Sequence, residues 1–92
     1  MKKTWRSEID SIDRELVQLI SRRLGLTHQI LTAKTAVGEV IEDPEREAKI
    51  LKSVTTLCAP EQQRAVQNIF KAILKEGKNS FEASHSAVFF SM

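Results

Sequence analysis

Hydrophobic residues recur at alternating steps of four and three along the first third of the chain. The series consists of Trp5, Ile9, Ile12, Leu16, Leu19, Leu26, Ile30 and Ala33. Arg23 occupies the one position of the series, between Leu19 and Leu26, that is not apolar. This spacing is the a/d seam of an amphipathic helix. It predicts one long helix from Trp5 to about Ala36, with Thr4 as the N-cap and Gly38 just past the C-terminal end. Gly25 inside this segment costs about 1 kcal/mol relative to alanine, which the unbroken apolar period outweighs.

Two shorter helices are predicted after the first. Asp43 is a suitable N-cap for the second helix, Pro44 suits its first position, and Glu45 favours the positive end of the helix dipole. The apolar face of the second helix consists of Ile50, Leu51, Val54, Leu57 and Cys58. The third helix is expected to begin near Pro60, and its apolar face consists of Val66, Ile69, Phe70, Ile73 and Leu74. Since no segment alternates like a strand, the predicted class is all-α with three helices per chain.

The end of the third helix is less well defined by the sequence. Gly77, Asn79 and Ser80 weaken the helical pattern, and residues 84–92 have no clean period. We therefore expect a helical domain over residues 1–83 and a C-terminal tail over residues 84–92, for which the pattern predicts no particular structure.

The length of the first helix bears on assembly. A helix of roughly 32 residues is about 48 Å long, whereas a compact domain of this size has a radius of gyration of about 12 Å. Two shorter helices cover only one side of such a helix. The sequence therefore predicts an intertwined homodimeric bundle, in which the first helix packs on a second copy of itself. The alternative is a monomeric three-helix bundle with a bent first helix.

Composition narrows the class of protein. The 92 residues are 41% hydrophobic and 28% charged, with a net charge of +2, which is typical of a soluble globular domain and gives no basis for nucleic-acid binding. A single cysteine, Cys58, excludes an internal disulfide. His28 and His85 lie far apart in sequence, so no metal is expected. No signal peptide or membrane-spanning segment is visible, so no membrane partner is expected, and the expected compartment is the cytoplasm.

Two cations lie on one face of the long helix. Arg23 occupies a seam position, and Lys34, eleven residues later, lies within roughly 20° of the same face and about 16 Å along it. A buried guanidinium is costly unless it is paired. Its partner is either an acid of the protein (Asp13, Glu15 or a second-helix acid) or a ligand. Because Arg46 and Glu47 follow in the first turn of the second helix, a small dicarboxylate is a candidate ligand.

Arg6 and His28 are the other polar residues considered for a site. Arg6 lies about 25 Å from Arg23 along the helix axis and roughly 100° around it, so within one chain it cannot reach the same pocket. In an antiparallel dimer it can reach the partner's pocket; otherwise it is a solvated residue at a helix end. His28 is more typical of a surface or interface residue than of a general base. With no nucleophile arrangement and no glycine-rich phosphate loop, the sequence indicates charge complementarity as the chemistry.

The spacing of these residues resembles that of the all-helical chorismate mutases. The resemblance covers about residues 5–75. It rests on Arg6, the run from Leu16 to Arg23, Lys34, and the segment Asp43-Pro44-Glu45-Arg46-Glu47, which match the bacterial form of the family without gaps. It implies an interlocked homodimer with two shared sites. It also implies conversion of chorismate to prephenate by a concerted [3,3] rearrangement, with no metal, cofactor or covalent intermediate.

The resemblance also implies roles for individual residues. Arg23 and the partner's Arg6 are expected to bind the two carboxylates of chorismate. Lys34 is expected to contact a carboxylate and the ether oxygen, on which negative charge develops as the C–O bond breaks. Arg46 is expected to anchor the site, and Glu47, with the backbone at Asp43, to hold the ring hydroxyl.

One position departs from the family pattern. The family usually has a glutamine, or a protonated glutamate, in the third helix that donates a hydrogen bond to the ether oxygen. In this chain that position is occupied by Phe81, with Glu82 beside it. A second position, at which the family has a serine or a similar polar residue, is occupied by Gly77. Phenylalanine donates no hydrogen bond, and loss of one such donor costs about 100- to 1000-fold in rate in related sites. Three explanations stay open: a register shift after Gly77 that presents Glu82, a slow enzyme, or a module that is no longer primarily a catalyst.

The leading hypothesis is therefore a chorismate mutase, an isomerase, with four alternatives. An isochorismate pyruvate-lyase uses the same scaffold, although Glu47 suits the ring hydroxyl of chorismate, and a close variant would act on an amino-substituted chorismate. A non-catalytic, ligand-binding regulatory dimer gains weight from Phe81. A helical dimerisation module with no ligand is the simplest alternative.

Overall fold

The computed structural model describes the backbone of residues 2–91 and the side chains of residues 4–84. The elements are α1 (Lys2–Ala36), α2 (Pro44–Thr55), a 3₁₀ turn (Pro60–Gln62) and α3 (Gln63–Ser91). No strand occurs in this part of the chain, which confirms the all-α class. No helix in the described residues is both long and apolar enough to cross a membrane.

The C-terminal end of α1 is fixed by Gly38, which has a positive φ of 76°. Its backbone N–H donates to the carbonyl of Thr35 at 3.1 Å, and the N–H of Glu39 donates to the carbonyl of Lys34 at 2.9 Å. These two bonds form a Schellman motif, which satisfies carbonyls that the helix end leaves unpaired. The predicted stop at Gly38 is thus confirmed. The predicted N-cap is wrong, because α1 already includes Lys2 and Thr4 therefore lies inside the helix.

The start of α2 follows the predicted capping pattern. The backbone N–H of Arg46 donates to Oδ1 of Asp43 at 3.1 Å, and Pro44 is the first helical residue. A side-chain cap of this kind stabilises a helix by about 1 kcal/mol. At the other end, α2 stops at Thr55, where Gln63 Nε2 donates to the Thr55 carbonyl at 3.0 Å. Leu57 and Cys58, which were assigned to the apolar face of this helix, therefore lie beyond it.

The third helix runs without a break through Gly77. The predicted weakening at residues 77–80 is wrong, because Gly77 is buried where α3 approaches α1 closely. A Cβ atom at this position would lie 3.3 Å from Cγ2 of Thr27. Because Gly77 has no side chain, α3 can pack closely against α1 at this point, and the helix continues beyond it. The backbone stays helical to Ser91; the side chains of Val88, Phe89 and Phe90 are outside the described residues, and the domain boundary at residue 83 stays a prediction.

Packing within the chain joins α3 to α2 and to the C-terminal half of α1. Among the described hydrophobic side chains, the buried ones are Leu31, 5% exposed, and Phe81, 6% exposed. The rings of Phe81 and His28 meet edge to face, with centroids 5.3 Å apart and planes at 63°. These contacts involve the C-terminal half of α1, whereas the described side chains of its N-terminal half, residues 4–22, are all exposed.

The N-terminal half of α1 leaves its apolar seam uncovered. Trp5, Ile9, Ile12 and Leu19 are each more than half exposed, and Leu16 is 48% exposed. The chain measures 54 × 30 × 15 Å with a radius of gyration of 16.5 Å, against about 12 Å for a compact domain of this length. Since a 35-residue helix is about 52 Å long, α1 follows the long axis of the molecule. The first helix is therefore not bent as the monomeric alternative requires, and the homodimer stays a prediction.

Candidate functional site

A cavity of about 320 Å³ lies where the three helices meet near the C-terminal end of α1. Its floor is partly apolar and includes Leu31, Ile50 and Leu74. Its charged lining residues are Arg23, Lys34, Asp43, Arg46, Glu47 and Lys78. The first two come from α1, the next three from the start of α2, and the last from α3. The structure therefore brings five predicted site residues together, namely Arg23, Lys34, Asp43, Arg46 and Glu47.

Arg23 and Lys34 face the same cavity because eleven residues are close to three full turns of a helix. Both side chains are half-buried. Within residues 4–84, Arg23 belongs to neither of the ion pairs that the structure contains. The proposed intrachain partners, Asp13, Glu15 and the acids of α2, therefore do not neutralise it. A half-buried guanidinium without a protein anion is available to bind a carboxylate.

Lys34 has a loose protein partner. Its Nζ atom lies 3.8 Å from Oδ2 of Asp43, and the two side chains are 23% and 47% exposed. The other carboxylate oxygen of Asp43 caps α2 through the N–H of Arg46, so Asp43 is held in place independently of Lys34. A long, partly exposed ion pair contributes at most about 1 kcal/mol. A ligand anion can therefore replace this contact at little cost.

Glu47 and Lys78 form the tighter ion pair of the cavity. Nζ of Lys78 lies 3.0 Å from Oε2 of Glu47, and the two side chains are 28% and 32% exposed. Oε1 of Glu47 is left to accept a further hydrogen bond. Sequence reasoning missed Lys78 because its third-helix candidates came from the family pattern alone, which falls on Phe81 with Glu82 beside it. The available signal was its position four residues after Leu74, on the face that continues from Phe70.

The structure does not bring the remaining predicted site residues to the cavity. Arg6 is exposed near the start of α1, about 25 Å from Arg23 along the helix axis. Phe81 is buried against His28. Glu82 is exposed, and neither Phe81 nor Glu82 lines the cavity. Within one chain, the cavity therefore has no contact with either candidate for the third-helix position of the resembled family.

The charge of the cavity favours a small anion. Four cationic and two acidic side chains leave a formal charge of +2. Apolar walls lower the local dielectric and strengthen the attraction of these cations for a ligand. The described residues contain no cluster of three or more histidine, cysteine or acidic side chains arranged to hold a metal ion. The arrangement can orient a dianion and stabilise negative charge on it.

A model of the chorismate mutase type II family matches residues 5–80. The chain belongs to this family. The family match confirms the resemblance inferred from Arg6, Arg23, Lys34 and the segment 43–47, and it extends to the part of α3 that contains Gly77 and Lys78.

Named relatives agree with this assignment. The chain is similar to the T-protein of Haemophilus influenzae, with 49% identity over 51 residues, which are 55% of this chain and 14% of that protein. It is similar to the chorismate mutase of Methanocaldococcus jannaschii, with 38% identity over 53 residues, 58% of this chain and 54% of that protein. A T-protein of Enterobacter agglomerans is 30% identical over 79 residues, 82% of this chain and 21% of that protein. The aligned region thus spans about half of the Methanocaldococcus jannaschii protein and about a fifth or less of the two T-proteins. No solved structure matches significantly.

Proposed function

We propose that this chain is a chorismate mutase, an isomerase that converts chorismate to prephenate. The observation that carries the proposal is the cationic cavity in a member of the chorismate mutase type II family. Arg23 faces this cavity without an ion-pair partner among the described residues, and the charge of the cavity is opposite to that of a dicarboxylate.

The proposed reaction needs positioning and electrostatics only. A [3,3] rearrangement breaks the ether C–O bond and forms a C–C bond in one step, so no proton, nucleophile or cofactor takes part. The protein has to hold the substrate in a folded conformation and place fixed cations where negative charge develops. A cavity lined by preorganised cations does both, because its charges do not have to reorganise during the reaction.

The proposed roles are those that the family resemblance implies, and the positions of Arg23, Lys34, Asp43, Arg46 and Glu47 around one cavity support them. Arg23 binds one substrate carboxylate through its planar fork of donors. Lys34 contacts a carboxylate and the ether oxygen. Glu47, held by Lys78, accepts a hydrogen bond from the ring hydroxyl with its second carboxylate oxygen, and the backbone at Asp43 helps to hold that hydroxyl. Arg46 anchors the ligand at the start of α2.

The active form is a homodimer in which each site receives Arg6 from the partner subunit. The uncovered seam of α1 supports this assembly, because a chain with two buried hydrophobic side chains in its described part has little core of its own. A second copy of α1 has the complementary apolar seam and the length to cover it. In an antiparallel pair, Arg6 at one end of α1 comes close to the cavity of the other subunit. Chorismate then meets cations from two chains.

A non-catalytic regulatory dimer that binds chorismate or prephenate is the second candidate. The burial of Phe81 against His28 favours it, since the position that donates a hydrogen bond in the family has no donor here. Binding without turnover distinguishes this candidate from the enzyme.

Purified protein is expected to accelerate the loss of the chorismate diene absorbance, with prephenate as the product. An isochorismate pyruvate-lyase would instead release pyruvate from isochorismate, so product analysis with both substrates separates the two activities. If the protein at high concentration did not accelerate the reaction over buffer, the proposed chorismate mutase activity would be wrong. Calorimetric binding of chorismate without turnover would then identify the regulatory dimer.

A further inference from the structure

The third helix has a hydrogen-bond donor at the cavity, although not at the position that the family pattern indicates. Phe81 packs against His28, and Glu82 is exposed outside the cavity. Lys78, about one turn earlier in α3, lines the cavity and is 28% exposed. An ammonium group has three donors, of which one is directed to Glu47 at 3.0 Å.

The rotation of α3 about its axis is fixed by its packing on α1. Gly77 lies against Thr27, where a Cβ atom would come within 3.3 Å of the threonine Cγ2. Four residues later, the ring of Phe81 contacts the ring of His28. These two contacts hold one face of α3 on α1. The neighbouring face, with Leu74 and Lys78 four residues apart, is thereby directed into the cavity.

The charge balance of the cavity depends on Lys78. Without it, the charged lining would be three cations and two acids, with a formal charge of +1. With it, the charge of the cavity within one chain is +2; in the proposed dimer, the partner's Arg6 adds a further positive charge. Lys78 also neutralises Glu47, so that Glu47 can face an anionic ligand without repelling it.

We propose that Lys78 is the hydrogen-bond donor that α3 contributes to the reaction. One of its N–H groups holds Glu47, and another donates to the ether oxygen of the substrate as negative charge develops there. The proposal rests on the proposed chorismate mutase activity. It assigns to Lys78 the role that the family pattern would place at residue 81.

Lys78→Met is expected to lower kcat for chorismate by about 100-fold, because the lost interaction with the ether oxygen forms mainly in the transition state. KM is expected to rise by a smaller factor, because Glu47 then faces the anionic ligand without its cation. Lys78→Arg, which keeps charged donors, is expected to recover part of this loss. Lys75→Met is the matched control, since Lys75 is an exposed lysine on the same helix that does not line the cavity. Melting temperatures of all variants report whether the fold is retained.

A double-mutant cycle with Glu47→Ala separates direct contact from positioning. If Lys78 contacts the substrate, Lys78→Met lowers kcat in the Glu47→Ala background as well. If it acts only by holding Glu47, the second substitution has no further effect, and the proposal is overturned. An active wild-type protein with Lys78→Met equal to Lys75→Met would overturn the Lys78 proposal alone.

A wild-type protein without turnover overturns the proposed function and, with it, the role of Lys78 in the reaction. In that case calorimetry with chorismate tests whether Lys78 belongs to the binding site. At least tenfold weaker binding by Lys78→Met than by Lys75→Met would retain Lys78 as a ligand contact. If Lys78→Met and Lys75→Met bound chorismate equally well, or if the wild type did not bind it, Lys78 would not be a ligand contact either.

Discussion

Arg23→Met is expected to lower kcat/KM for chorismate by about 100- to 1000-fold, the range found when one preorganised electrostatic contact is removed. Arg23 faces the cavity without a protein anion among the described residues, so its guanidinium is free to bind a carboxylate. The carboxylate is charged in both the ground state and the transition state. We therefore expect KM to rise. We expect kcat to fall as well, because Arg23 also holds the substrate in its reactive conformation. Both constants are measured by steady-state loss of diene absorbance.

Arg22→Met is the matched control for this experiment. Arg22 is the neighbouring arginine on α1, is exposed and does not line the cavity, so its removal changes net charge equally. It should leave kcat/KM within about threefold of wild type, since an exposed charge contributes little. Thermal unfolding should show no loss of stability in Arg23→Met, because a half-buried cation without a partner is replaced by an apolar side chain. Equal kinetic effects of the two substitutions would contradict the role of Arg23.

Lys34→Met is expected to reduce kcat by a similar factor, with KM changed less than in Arg23→Met. The reason is that negative charge on the ether oxygen appears only as the bond breaks, so the ammonium group stabilises the transition state more than the ground state. Its loose contact with Asp43, at 3.8 Å, leaves the ammonium group available for this purpose. Lys49→Met, on the exposed side of α2, is the control.

Glu47→Ala should have a smaller effect than either substitution. The ring hydroxyl that Glu47 is proposed to hold does not change charge during the reaction, so its contact is nearly equal in substrate and transition state. Small and equal effects of Arg23→Met, Lys34→Met and Glu47→Ala would contradict the assigned electrostatic roles.

Local rules were enough to predict much of the fold. The helix starting at Pro44 follows from Asp43, whose side chain can accept a hydrogen bond from the next turn, and the end of α1 follows from the conformational freedom of Gly38. Placement of Arg23 and Lys34 on one face needed only the helical period. Each of these features depends on residues within one or a few turns.

Features that depend on contacts between helices were harder to predict. Gly77 was interpreted as a weak point because glycine has low intrinsic helix propensity. In the structure its missing side chain allows α3 to approach Thr27, so packing outweighs propensity. Lys78 was not predicted, because the third-helix candidates were taken from the family pattern, which falls on Phe81 and Glu82 and not on Lys78. Phe81 was considered for the site by alignment alone, whereas its burial against His28 is a tertiary contact.

Mixed dimers test the central claim most directly, namely that cations from two chains form one site for chorismate. Arg6→Ala and Arg23→Ala chains are each expected to be nearly inactive as homodimers. In a random mixture half of the dimers are mixed, and each mixed dimer regains one intact site, so activity should return to about a quarter of that of wild type. A mixture no more active than its two components would contradict the shared site.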